Sequence, residues 1–204
     1  MNKKPKFLKN STSSLSLIED DRPAVVGLIQ QMSPELISSD PKYIPDASPG
    51  MLFNNLTRDV FKEIEVLVVG SKTTWVEWIP RERGGGFVAS YPTAKEAQMG
   101  ADPTNDLQKG VDFFCLTPEG TKVVVPFYKS KLKTASRWSS LILREGDTHA
   151  AFWKIGSVTE KSQKGSYFNY KVDFSRWVDE ESYNNATALA EASANALLEE
   201  RTDI

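Results

Sequence analysis

A run of positive charge is the feature of this sequence closest to a binding chemistry. Between Thr121 and Arg144 the chain carries six lysines and arginines and no acidic residue, although its 204 residues have a net charge of −2. Cations in such a row bind phosphate groups, and aromatic rings beside them stack on unpaired bases. A row of cations is also typical of a solvated helix face, but such faces usually mix both signs to form i,i+4 pairs. This segment therefore supports both interpretations equally.

Aromatic residues lie next to cations in several other parts of the chain. This combination of a basic surface and stacking rings is what binds a single strand of nucleic acid without reading its sequence. The candidate nucleic-acid-binding residues are Lys72, Trp75, Trp78, Arg81, Arg83, Phe87, Lys129, Lys131, Lys133, Arg137, Trp153, Lys154, Lys161, Lys164, Tyr167 and Lys171.

Strand alternation divides the aromatic residues into core and surface candidates. The positions expected in the interior are Phe152, Phe168, Tyr170 and Phe174. Tyr167 alternates outward on the same face as Lys171 and is the first candidate for stacking on a base. Trp153 and one of Trp75 or Trp78 are the next candidates.

Motifs for catalysis are missing from the sequence. There is no GxxxxGK[ST], no GxGxxG after a strand, no CxxC and no HExxH. The lone histidine, His149, is expected to be a loop residue before the next strand. The single cysteine, Cys115, excludes an internal disulfide and fits a reducing cytoplasm. The glycines at 84–86 lack a following helix and predict a flexible loop. We expect no enzyme, no cofactor and no metal.

Apolar patterning predicts five strands and two helices. Residues 64–79 are rich in β-branched residues and bend at Gly70-Ser71, as one long strand or as a hairpin. Two hairpins follow, turning near 118–120 and 163–165, and a helix over about 129–144 lies between them. The apolar arc of this helix consists of Leu132, Ala135, Trp138 and Ile142. With 64–79 as one strand, the order predicts a β-rich α+β fold: an OB-like five-stranded barrel with a helix between strands 3 and 4, plus a C-terminal helix.

Charge and proline content divide the chain into three parts. Residues 1–60 are expected to be an arm and a proline-rich wrap, 61–178 the OB-like nucleic-acid-binding body, and 179–204 an acidic C-terminal helix or tail. The last part has seven acids and one base, a net charge of −6, and since the whole chain carries −2, residues 1–178 carry +4. Its candidate packing positions are Ala186, Leu189, Ala190, Leu197 and Leu198.

The acidic segment has two possible roles. In the favoured one, its alanine and leucine residues pack against the body or a second subunit. In the other, its negative charge shields the groove that binds the nucleic acid.

Three sequence blocks carry a resemblance to a known group of proteins. "WVEWIPRERGGGF", "FYKSKLKTASRW" and "AFWKIGSVTEKSQKGSYFNYKVDF" resemble blocks of bacteriophage-encoded single-stranded DNA-binding proteins of the OB-fold type, over roughly residues 50–178. The resemblance implies an OB-fold body and an acidic tail that recruits replication or recombination proteins. This chain departs from that pattern, because its acidic end is alanine-rich and terminates in Ile204.

These observations favour a single-stranded DNA-binding protein of a phage replication or recombination module, which coats single strands without strong sequence preference. One alternative is a phage structural or assembly protein whose C-terminal helix forms oligomer contacts. Another is an accessory subunit that regulates a phage or host enzyme. A homo-oligomer is compatible with each. No run approaches the roughly 20 apolar residues of a membrane span, so we expect no membrane contact and a location in the host cytoplasm.

Overall fold

The computed structural model describes residues 23–163 and 165–202, with residues 81 and 194–202 described by their backbone only. The predicted N-terminal arm, apart from the proline-rich wrap, lies outside the described residues. Lys164 does so too, as do the side chains of Arg81, Leu197 and Leu198.

The described residues form nine strands and three α-helices. The strands are β1 (Ala24–Leu28), β2 (Leu52–Asn54), β3 (Val60–Phe61), β4 (Ile64–Ile79), β5 (Gly86–Tyr91), β6 (Asp106–Leu116), β7 (Lys122–Tyr128), β8 (Ala151–Ser162) and β9 (Gly165–Trp177). The helices are α1 (Ala94–Gly100), α2 (Leu132–Glu145) and α3 (Glu180–Thr202), and short 3₁₀ turns occupy Pro34–Leu36, Arg81–Arg83 and Lys129–Lys131. The predicted β-rich α+β class is confirmed.

All nine strands belong to one sheet that curls into a half-barrel. Its order is β3-β2-β1-β7-β6-β4-β8-β9, and β5 pairs with β4 beside this path. Neighbours are antiparallel except β1 and β7, which are parallel. The five predicted strands are present as β4, β6, β7, β8 and β9. The predicted total of five was wrong, because β2 and β3 are too short for a recognisable pattern and because β1 and β5 border proline- and glycine-rich segments.

Strand β4 is one long bent strand and not a hairpin. Its 16 residues pair with β8 through residues 64–67, with β6 through 67–78 and with β5 through 75–79. The register with β6 shifts between Val68 and Gly70, where the sequence predicted a bulge. This bulge allows one strand to serve both the core and a projecting arm, which is formed by the last part of β4 together with β5 and α1.

The core on the inner side of the sheet is centred on Trp138 of α2. Its indole stacks on Phe113 with a centroid distance of 4.3 Å and contacts Phe127 at 5.9 Å and Trp153 at 6.4 Å. Of the predicted apolar arc of α2, Ala135, Trp138 and Ile142 are buried and Leu132 is half-buried. The helical spacing therefore placed the core face of α2 correctly.

Helix α3 packs on the opposite side of the sheet. The apolar cluster there consists of Leu67, Val69, Leu116, Phe152, Val178, Tyr183, Ala186 and Ala190, with Leu189 packed against it. The predicted packing positions Ala186, Leu189 and Ala190 are confirmed. The described part of α3 thus packs against the body, as the favoured interpretation of the acidic segment required.

A buried polar chain anchors α3 to the bulge region of β4. The Tyr183 hydroxyl donates to Asp147 Oδ2 at 2.9 Å, and Asp147 Oδ1 accepts from the backbone N–H of His149 at 2.9 Å. The imidazole Nδ1 of His149 lies 2.9 Å from the carbonyl oxygen of Val68. His149 stands in the loop before β8, as predicted, and its hydrogen bonds fix that loop to β4.

We expect Ala186→Asp to destabilise the protein by about 3 kcal/mol or more, because it buries an unpaired carboxylate where Ala186 is 0% exposed. The matched control is Ala188→Asp, which adds the same charge at an exposed position of the same helix. Urea unfolding of the two variants and of the unmodified chain measures the difference. Equal stability of both variants would show that α3 does not pack against the body in solution.

Candidate nucleic-acid interface

A groove runs between α2 and the edge strand β9. Among the described residues β9 pairs with β8 and with no other strand. Its second edge therefore forms no strand pairing and contacts the rest of the protein through side chains. The groove has a volume of about 520 Å³, with Arg137 and Arg144 on the helix side and Phe174 and Trp177 on the strand side. This volume falls within the range of about 300–1,000 Å³ that is typical of small-molecule sites.

The strand side of this groove is an aromatic wall. Phe174 and Trp177 meet edge to face at a centroid distance of 5.2 Å, and Trp153 meets Phe174 at 6.1 Å. Phe174 is 45% exposed, whereas Trp153 is 3% exposed. Two predictions were therefore wrong. Phe174 is not core, because it lies on an edge strand, and Trp153 is not free to stack, because it packs against Trp138 from the inner side of the sheet.

The helix side supplies positive charge. Within the described part of the chain, Arg137 makes no ion pair, and Arg144 lies 3.2 Å from Glu145. Lys171 of β9 is close to Arg137 but pairs with Asp173 at 2.7 Å. The pKa of Lys171 is raised by its hydrogen bond to Asp173, and the positive charge of Arg137 opposes this shift. The lining of the groove is balanced in formal charge, with Arg137 and Arg144 against Glu145 and Asp173, and Arg137 is the cation that forms no ion pair among the described residues.

A second groove, of about 820 Å³, lies where residues 48–51 approach β8. The hydroxyl of Ser157 donates to the carbonyl oxygen of Gly50 at 2.5 Å and holds this loop in place. The groove contains Lys62, Lys154 and Lys171, but Lys154 pairs with Glu63 at 3.5 Å and Lys171 with Asp173. Lys62 forms no ion pair among the described residues, so this groove also offers a cation. Phe168 is the one aromatic residue in its lining, whereas three aromatic residues line the groove at α2, which makes the groove at α2 the better site for stacked bases.

The arm formed by β4 and β5 brings two candidate aromatic residues together. Trp78 and Phe87 meet edge to face at 5.8 Å and are 36% and 59% exposed. The guanidinium of the exposed Arg83 donates through one nitrogen to the carbonyl oxygen of Thr104 at 2.7 Å and to the side chain of Asn105. The loop at residues 102–105 is thereby tied to the arm.

Glu77 organises this arm, although no sequence pattern indicates this role. Its carboxylate accepts hydrogen bonds from Asn105 Nδ2 at 2.6 Å, the Tyr91 hydroxyl at 2.7 Å and the backbone N–H of Asp102 at 2.9 Å. These bonds, that of Asn105 first and that of Tyr91 second, hold the pKa of Glu77 below its ordinary value. An acid inside the pattern "TTWVEW" resembles a surface residue, and only the fold brings its partners to it.

The remaining candidates are spread over the surface. Lys131 lies 4.4 Å from the centre of the Tyr170 ring, and burial lowers its pKa to about 8. The Tyr167 hydroxyl donates to Glu160 at 2.6 Å, so this ring is half-buried beside an acid. Lys72 lies opposite Asp112 in the sheet, and Trp75 is half-buried. Apart from the candidates of the arm, the exposed candidates outside the grooves are Lys72, Lys129, Lys133 and Lys161. Of the sixteen candidates, Arg137 and Trp153 line the groove between α2 and β9.

Cys115 is buried, and its burial raises the pKa of the thiol far above the ordinary value. Within the described ranges, no cluster of three or more His, Cys, Asp or Glu side chains is arranged to hold a metal ion. None of the helices in those ranges has the length and apolar character needed to cross a membrane.

A comparison with protein families assigns the chain. Residues 25–196, well over half of the sequence, match the family described as "Pam3 phage gp34-like protein". The chain belongs to this family. The phage part of the sequence-based expectation is thereby confirmed, and binding of single-stranded DNA stays a prediction. Comparisons with curated proteins and with solved structures gave no match.

Acidification tests the role of Glu77 in the arm of this phage-family protein. The pKa of Glu77 is lower in the folded state than in the unfolded state, so its ionised carboxylate stabilises the fold. This stabilisation is complete at a pH above the unfolded-state pKa and is lost as the pH falls through the folded-state pKa. We expect the advantage in melting temperature of the unmodified chain over Glu77→Gln to shrink between about pH 6 and about pH 3. The exposed Glu82→Gln is the control. A pH-independent difference for Glu77→Gln would contradict the assigned ionised state.

Proposed function

We propose that this phage-family protein binds single-stranded DNA in the groove between α2 and β9. The observation that carries the proposal is the half-exposed ring of Phe174, which faces a groove that also holds Arg137, a cation that forms no ion pair among the described residues. A base stacks on the ring while the guanidinium neutralises a phosphate, which is the combination by which proteins hold single strands.

The groove favours a single strand over a duplex. Its stacking surface is a ring face, and a base offers its face only where it is not stacked on both neighbours, as in an unpaired or splayed strand. On the strand side, Phe174 and Trp177 offer ring surfaces, and stacking on a ring accepts any of the bases. We therefore infer little sequence preference.

The strand connectivity supports an OB-like body. Without β1, β2, β3 and β5, the sheet path is β7-β6-β4-β8-β9, and α2 lies in the connection between β7 and β8. A five-stranded Greek-key barrel with a helix between its third and fourth strands has this arrangement, and such barrels commonly bind oligonucleotides. The other four strands extend the body beyond a simple barrel.

In this proposal, the acidic C-terminal segment stabilises the body by packing against it and does not shield the DNA-binding groove. The described part of α3 covers Leu67, Val69 and Phe152 on the side of the sheet away from the Trp138 core. Since α2 and the groove lie on the Trp138 side, the packed part of α3 stands apart from the DNA site. Contacts with replication or recombination proteins would then use its exposed acids, such as Glu181 and Glu191.

A structural or assembly role is the second candidate. It is favoured by the exposed apolar side chains of the arm, which are Trp78, Phe87 and Val88 at 36%, 59% and 44% exposure. Exposed apolar groups close together are typical of protein contacts. In that role the arm would bind another protein chain, and DNA binding would be absent.

Binding to a labelled oligothymidine, measured by fluorescence anisotropy, tests the proposal. We expect affinity to fall steeply as salt rises, because each neutralised phosphate releases counterions. A duplex of the same length should bind more weakly. Affinity that does not depend on salt, or equal affinity for the duplex, would contradict binding of single strands.

Phe174→Ala tests where the bases lie. We expect it to weaken oligothymidine binding by about 1–3 kcal/mol without unfolding the protein, because the ring is half-exposed. Leu143→Ala is the matched control, since Leu143 is an exposed apolar residue of α2 that does not line the groove. Phe87→Ala tests the arm instead. A loss with Phe87→Ala and none with Phe174→Ala would move the DNA site to the arm.

A further inference from the structure

Strand β5 is a free edge of the sheet. Among the described residues it pairs with β4 and with no other strand. The backbone groups of residues 86–91 likewise form no hydrogen bond outside this pairing in the described part of the chain. The outward N–H and C=O groups of such a strand match the spacing of another extended backbone. The edge therefore has the chemistry to add a strand.

This edge lacks the usual protection against strand addition. Natural sheets protect their edges with charged side chains, proline or a covering segment. The free edge of β9 has such protection, because the strand carries Lys171, Asp173 and Arg176 and the Gln30 side chain covers part of it. The six residues of β5, GFVASY, include neither a charge nor a proline. A bulge at Val88 twists the strand but adds no charge, so β5 stays open to pairing.

An apolar patch borders this edge on one face of the arm. Phe87 lies opposite Trp78, their rings meet edge to face at 5.8 Å, and the adjacent Val88 is exposed as well. The other face is covered by α1, whose Gly100 approaches the ring of Tyr91. A strand added beside β5 would lie next to the Phe87 ring, within reach of its side chain. Backbone hydrogen bonding and apolar burial would thus act together at this edge.

A second copy of this chain suits the edge in charge and symmetry. Antiparallel pairing of β5 with its copy has a two-fold axis perpendicular to the sheet, which leaves both Phe87 rings on the same face. The two uncharged strands bring no like charges together, and the net charge of −2 per copy adds little repulsion. Exposed residues of both signs lie before and after the strand, where opposite ends of the two copies meet: Glu82, Arg83, Lys95 and Glu96.

The exposed apolar area sets the strength of this contact. At 59% and 36% exposure, Phe87 and Trp78 offer roughly 200 Å² per copy, or roughly 400 Å² for two copies. Stable interfaces bury about 1,200–2,000 Å² in total, so the rings supply about a third of the lower figure. The backbone of β5 and its other side chains add to this area. The contact therefore belongs to the weak, concentration-dependent class.

We propose that β5 is a self-association surface, through which two copies of this chain form a two-fold dimer. The sheet of one arm continues across the antiparallel β5 strands into the arm of the other copy, and the Phe87 and Trp78 rings of both copies pack together on one face. This association goes beyond the proposed binding of single-stranded DNA and requires no nucleic acid.

Sedimentation equilibrium of the full chain over a range of protein concentrations tests the dimer. We expect the average mass to rise from 22.8 kDa toward twice this value as the concentration increases. Val88→Lys should abolish the rise, because it places a lysine of each copy at the shared edge. Val158→Lys is the matched control, since it adds the same charge at a valine of β8 that is 41% exposed, compared with 44% for Val88. This control should associate like the unmodified chain.

A charge swap tests the two-fold symmetry. Val88→Glu should also stay monomeric, whereas an equal mixture of Val88→Lys and Val88→Glu should recover the dimer. Such recovery requires an interface that brings the same residue of both copies together. Amide hydrogen exchange of the unmodified chain adds a measurement without substitutions: the protection of residues 86–91 should increase with protein concentration.

Several results would overturn the dimer. One is a mass that stays at 22.8 kDa at every concentration. Another is a dimer in which residues 86–91 gain no protection, or a charge-swap mixture that does not recover association. Equal loss of association in Val88→Lys and Val158→Lys would indicate general charge repulsion instead of an edge contact. Protection of residues 86–91 by an oligothymidine, in a chain that stays monomeric, would refute the dimer and assign the edge to DNA.

Discussion

The whole structure depends on the three-way pairing of β4. One of its edges pairs with β6 over residues 67–78, and its other edge pairs first with β8 and then with β5. A β-bulge between the two segments of that edge bends the strand and increases its twist, which turns the segment paired with β5 away from the line of β8. The register shift between Val68 and Gly70 provides the bend. The first part of β4 is thereby fixed in the core, and its last part becomes the base of the arm.

The packing of α2 determines which of its cations reach the groove. Trp138 must face the sheet to stack on Phe113, and at 100° per residue Leu141 then faces the same margin as Arg137. Arg137 is therefore held beside β9 by the core itself. Lys133, although it belongs to the same positive row in the sequence, is exposed and does not line the groove. The row therefore divides: Arg137 and Arg144 line the groove, whereas Lys129 and Lys133 are on the solvated surface.

Local patterns predicted the features that depend on neighbours in the chain. The bend at Gly70, the two hairpins and the buried face of α2 follow from strand and helix periodicity and from turn residues. The candidate site was predicted less well, because exposure depends on strand order. Alternation placed Phe174 correctly on the face of Tyr170 but could not show that β9 is at an edge. It also could not show that both faces of the internal strand β8 are buried, with Phe152 on the α3 side and Trp153 against Trp138. The hydrogen bonds of Glu77 likewise join positions up to 28 residues apart.

Strand β1 explains why the groove lies where it does. It pairs in parallel with β7 and reaches β9 through side chains: the Gln30 amide accepts from the backbone N–H of Phe168 and donates to its carbonyl oxygen, both at 2.9 Å. The Tyr170 hydroxyl donates to the carbonyl oxygen of Val26 at 2.8 Å. These bonds cover β9 as far as Tyr170. Beyond it, Val172, Phe174 and Trp177 meet α2 across the groove instead. The segment from β1 to Gln30 thus covers the first part of the β9 edge. The next part of that edge stays open, and there the aromatic wall of β9 and the cations of α2 can hold a ligand between them.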